Sequence, residues 1–100
     1  MADEEALAKE EREIQGGRDA QTLLDNPILT EVLRKIEEAF SAQLRNSFNA
    51  DEIWDAKYML VAMDNFCTQL TSIVQTGNLA EVGKLQRISE LRESDERFNG

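Results

Sequence analysis

From Ile28 to Leu44 the large apolar residues recur mostly at three- and four-residue steps: Ile28, Leu29, Val32, Leu33, Ile36, Phe40 and Leu44. Such spacing lays one apolar stripe along an α-helix. Asn26-Pro27 marks its start, because Asn accepts bonds from free backbone N–H groups and Pro is tolerated at the first helical position. The stripe predicts an end near Asn46, with Ser47-Phe48-Asn49 as the connection. A second stripe follows at once. Asn49 and Glu52 have the spacing of a capping box, and Ile53, Ala56, Leu60, Met63, Cys67, Leu70 and Val74 then step 3-4-3-4-3-4, a strict heptad seam. Met59, Phe66 and Ile73 widen that seam on one flank, as in a helix that touches more than one neighbour.

The two ends of the chain are less regular. Gly77 predicts a left-handed stop, and Asn78 with Glu81 predicts a second capping box. Beyond it Leu79, Val82, Leu85, Ile88 and Leu91 step by three, so their stripe drifts by about 60° per step. Gly83 lowers helix propensity there, and Arg92–Gly100 (RESDERFNG) is polar enough to fray. At the other end, Met1–Gln15 (MADEEALAKEEREIQ) is rich in helix formers but has only Leu7 and Ile14 as large apolar residues after the initiator. Gly16-Gly17 predicts a break or hinge after it, and Arg18–Asp25 a short helix carrying Leu23 and Leu24. There is no internal repeat, and no run alternates in the manner of a strand. The expected fold is therefore all-α: an antiparallel hairpin of helices 27–46 and 50–76, a flanking C-terminal helix near 79–93, and a mobile acidic N-terminal helical arm. In domain terms the expectation is an arm over 1–17, a helical domain over 18–93 and a frayed tail over 94–100.

Composition narrows the chemistry. The chain has 100 residues, 20 acidic against 11 basic, for a net charge of −9, and it has no histidine. The commonest general base and metal ligand is thus missing, and with it every His-dependent triad. The lone Cys67 has no partner for an intramolecular disulfide and sits on the heptad seam between Met63 and Leu70, which reads as a small buried apolar residue. Asp51 and Asp55 share a face at i, i+4, but a carboxylate-bundle metal site needs Glu-x-x-His motifs, and the calcium-loop pattern is missing too. Solvated acidic faces account for such residues. Gly16-Gly17 lacks the spacing and the lysine of a phosphate loop. The expectation is a non-enzymatic protein with no cofactor. No apolar run approaches the ~20 residues of a membrane span. The acidic start lacks the basic residues of a signal peptide, so the expected location is the cytoplasm or a virion and no membrane partner is expected. Residues 1–25 alone carry a net −5, and this acidity disfavours phosphate backbones.

The most informative feature lies on the back of the second helix. At about 100° per residue, Trp54, Tyr58 and Val61 fall nearly opposite the heptad seam, and Asn65, Thr68, Gln69 and Ser72 continue that face. A cluster of Trp, Tyr and Val on such a face marks a contact, either with another segment of the same chain or with a partner. Together with Leu79 and Val82 from the drifting stripe, these three residues form the candidate partner-binding set.

The runs LLDNPILTEVLRKIEEAF (Leu23–Phe40) and WDAKYMLVAMDNFCTQLTSIVQTGNLAEV (Trp54–Val82) resemble small helical accessory proteins encoded in tailed-bacteriophage structural gene clusters. That resemblance covers about sixty of the hundred residues and implies a role in virion assembly, with no catalytic residues to carry over. The chain departs from the pattern in its strongly acidic arm and in lacking a basic tail. The expected function is a protein–protein interaction module that forms a homo-oligomer. The alternative is an acidic inhibitor or decoy that occupies a basic, nucleic-acid-binding surface of a partner. A small-terminase-like DNA binder needs a basic recognition helix, and only Lys84, Arg87 and Arg92 offer one, interrupted by acids.

Overall fold

Three helices account for the described residues, joined by two short connections. A computed structural model describes the backbone of residues 2–99 and the side chains of residues 4–92. Helix α1 spans Ala2–Leu24, α2 spans Pro27–Asn46 and α3 spans Ala50–Asn99. No strand occurs among the described residues, so the fold class is all-α.

The connections follow the local chemistry of their residues. The side chain of Asn26 accepts bonds from the N–H groups of Ile28 (2.8 Å) and Leu29 (3.2 Å), with Pro27 at the first helical position. Ser47 ends α2 in an extended conformation, its N–H donating to the Gln43 carbonyl at 3.0 Å. Asn49 Oδ1 then accepts from Asp51 N–H (2.9 Å) and Glu52 N–H (3.3 Å), which caps α3. The Glu52 carboxylate closes the box indirectly. It accepts from the Ser47 hydroxyl at 2.6 Å, and that hydroxyl oxygen accepts the Asn49 N–H at 3.1 Å. Orphan donors at the start of α3 are satisfied without any turn residue of positive φ.

The chain divides into two compact units. One comprises residues 21–71, that is α2 and the first part of α3. Here Gln43 donates to the Glu52 carbonyl at 2.7 Å, while Leu29, Leu33, Leu60, Met63 and Cys67 face a shared groove. Ala56 and Leu70 are buried in this unit, and none of the α2 residues is. Cys67 is half-buried.

The other unit comprises residues 1–20 and 72–100, and its structure corrects five expectations. Gly16-Gly17 is not a hinge, because α1 runs through it to Leu24. The arm is not free of the fold: its Glu10 and Ile14 are buried. Gly77 is not a stop, since α3 continues to Asn99 and no glycine among the described residues has a positive φ. Asn78 with Glu81 is not a capping box, and the separate C-terminal helix near 79–93 is the continuation of α3. The fraying expected over 94–100 falls on residues whose side chains lie outside those described.

The reason is tertiary. A methyl group on Gly17 would lie 2.9 Å from the Gly77 Cα and 3.3 Å from the Ile73 carbonyl oxygen. One on Gly77 would lie 2.8 Å from both the Glu13 carbonyl oxygen and the Gly17 Cα. The two helices thus cross backbone to backbone, and only glycine permits that approach. Each interior glycine costs about 1 kcal/mol of helix propensity, which close packing along the crossing offsets. Contacts run in opposite chain directions: Gly16 and Gly17 meet Ile73, whereas Glu10 meets Gly83 and pairs with Arg87.

Candidate interaction surface

The heptad seam and its opposite face sort cleanly by exposure in the unit of residues 21–71. Ile53, Leu60, Met63 and Cys67 are half-buried and Ala56 and Leu70 buried, as a seam packed on one neighbour requires. Of the widening residues in this unit, Met59 and Phe66 remain exposed. On the far face Trp54, Tyr58 and Val61 are 52%, 66% and 48% exposed. The Trp54 and Tyr58 rings lie 5.8 Å apart between centroids and tilted by 31°. Lys57 Nζ sits 5.2 Å from the Trp54 ring centroid, a cation–π contact that leaves its charge at the edge of this patch.

A groove of about 520 Å³ runs along the seam side of the same unit, lined by Leu24, Leu29, Leu33, Leu60, Met63 and Cys67 among others. Arg34, at its rim, is bound to Glu31 at 2.7 Å and to Glu38 at 2.6 Å. The hydrogen bond to Glu31, then the charge of Glu38, hold the guanidinium above its ordinary range. These three form a solvated ion network at the rim of the groove, in the way i, i+3 and i, i+4 pairs stabilise an exposed helix.

In the second unit Leu79 and Val82 are 74% and 52% exposed, and Leu85 and Leu91 are exposed with them. Leu79 and Val82 lie on the side of α3 turned away from Gly77 and its α1 contacts. Each unit therefore exposes the candidate residues that it contains.

Two features of this unit were not read from the sequence. Glu10 is buried, and its Oε2 pairs with the half-exposed Arg87. Its Oε1 is buried without a hydrogen-bond partner and lies 3.9 Å from where a Gly83 methyl would stand. Arg18 adds an exposed pair to Glu81 at 3.4 Å. The available signal was the placing of Gly17, Gly77 and Gly83 among helix formers, with no proline beside any of them.

No group of three or more Cys, Asp or Glu able to hold a metal ion occurs among the described residues. None of the helices, over the described residues, is long and apolar enough to cross a membrane. No family model, curated protein or solved structure matches the chain.

Proposed function

We propose that this chain is a non-enzymatic, self-associating helical interaction module, with α2 packed as an antiparallel hairpin on the first part of α3. One observation carries the reading. No large side chain is fully buried among the described residues, and seventeen large apolar ones are exposed. A chain with so thin a core draws its stability from association.

The virion-assembly setting that the Leu23–Phe40 and Trp54–Val82 runs suggest is one in which a small self-associating helical accessory works. The decoy reading rests on the exposed acids Glu4, Glu5 and Glu11 of α1. It is weakened by Glu10 and Ile14, through which the same helix packs within its own unit.

The test is the thermal midpoint as a function of chain concentration at low and high salt. A self-associating module melts at higher temperature as concentration rises, and an apolar interface keeps that dependence in high salt. A midpoint independent of concentration refutes self-association.

A further inference from the structure

Self-association requires an interface, and the far face of α3 in the unit of residues 21–71 has the properties of one. Trp54, Tyr58, Val61 and Asn65 step four, three, four, the spacing of a coiled-coil seam. All four are exposed. None is charged, although Asp51, Glu52, Asp55, Lys57 and Asp64 stand on the same stretch of helix. A charge-free heptad seam left in solvent is fitted to another helix.

We infer that this face binds the same face of a second copy in antiparallel orientation, with Tyr58 against Val61 and Trp54 against Asn65 of the other chain. The inference rests on the self-association proposed above and names its interface. Two observations favour this occupant and this direction.

The first is charge. Lys57 and Asp64 flank the seam on one side, each directly before a seam residue (Tyr58 and Asn65). In the antiparallel register that layers Tyr58 on Val61, flanking residues of this kind meet each other across the interface. Lys57 then lies beside Asp64 of the second copy, and the twofold symmetry repeats the pair. Among the described residues neither Lys57 nor Asp64 has an ion pair within its own chain. A parallel pairing sets Lys57 against Ala62 and Asp64 against Gln69, which leaves both charges unmatched.

The second is hydrogen bonding. A Trp indole N–H that becomes buried requires an acceptor, and the Asn65 amide oxygen provides one in the same layer. A single polar Asn in an otherwise apolar layer also fixes register.

The experiment uses the full chain and two readouts, the dimer dissociation constant by sedimentation and the emission of Trp54, the chain's one tryptophan. In the wild type, dimer formation should shift Trp54 emission to the blue. Lys57→Asp or Asp64→Lys alone should weaken the dimer about tenfold, since each places two like-charge pairs where two salt bridges stood. The double variant Lys57→Asp/Asp64→Lys should return to within about threefold of the wild type, because it restores opposite charges across the interface and at no other predicted contact. Both substitutions lie on exposed positions, and circular dichroism checks that helicity is unchanged in all three variants. A wild-type monomer at every concentration overturns the self-association reading and this inference with it. An oligomer whose Trp54 emission does not move, or whose affinity ignores the single reversals, overturns this interface and leaves self-association standing. Single variants that weaken the dimer without recovery in the double variant overturn the antiparallel register.

Discussion

Two adjacent glycines offer the sharpest test of the helix crossing, because alanine should act on them in opposite directions. A methyl group at Gly16 would lie 3.8 Å from Ile73 Cγ2, an ordinary contact, while one at Gly17 would lie 2.9 Å from the Gly77 Cα. Both substitutions gain up to about 1 kcal/mol of helix propensity and reduced unfolded-state entropy. At Gly16 nothing opposes the gain, so Gly16→Ala should stabilise by roughly 0.5–1 kcal/mol. At Gly17 the obstacle is backbone, which no rotamer change relieves. The helices must separate, and overpacking of this kind costs roughly 1–3 kcal/mol. Gly17→Ala should therefore be destabilising by about 1 kcal/mol net, a gap of about 2 kcal/mol between neighbours. At 4–8 °C per kcal/mol for a chain of this size, their melting temperatures should differ by roughly 10 °C. The assay is thermal unfolding followed by circular dichroism, with all chains at one concentration. If Gly17→Ala melts with or above Gly16→Ala, the close crossing at Gly77 is refuted.

Gly77→Ala should destabilise as Gly17→Ala does, since its methyl group meets the Glu13 carbonyl oxygen at 2.8 Å; a neutral result in the same melt would separate the two helices. Arg87→Ala strands the buried Glu10 carboxylate and should cost about 1–3 kcal/mol, with Glu10→Gln costing less, both read from urea midpoints. Leu70→Ala removes a buried side chain and should cost roughly 2–5 kcal/mol, whereas a loss below about 0.5 kcal/mol would take Leu70 out of the core. Asn49→Ala removes the cap of α3 and should cost about 1 kcal/mol in the same denaturation experiment.

Local chemistry made much of the fold legible. Helix α2 begins at Pro27 and ends at Asn46, the limits that Asn26-Pro27 and the last apolar position Leu44 predict. Asn49 caps α3 as its spacing to Glu52 implies. Trp54, Tyr58 and Val61 lie exposed opposite the seam, where helical periodicity puts them. The glycines defeated the same reasoning for a definite reason. A glycine that ends a helix and one that admits a neighbouring backbone look alike in a single sequence, and the difference lies 60 residues away in the partner helix. Taken as local punctuation, Gly17 and Gly77 split α1 and cut α3 short, and the contact that holds residues 1–20 against residues 72–87 is lost from view. Glu10 was hidden likewise, because a buried carboxylate among exposed ones carries no local mark.

The exposed apolar surface, proposed above as an interface with copies of this chain, is tested by sedimentation equilibrium of the full chain over a wide concentration range, since mass is read without reference to shape. The mass should rise from 11.4 kDa to a whole-number multiple of it, with salt having little effect on the apolar part of the association. A single species of 11.4 kDa at every concentration, still helical and still unfolding cooperatively, would contradict it.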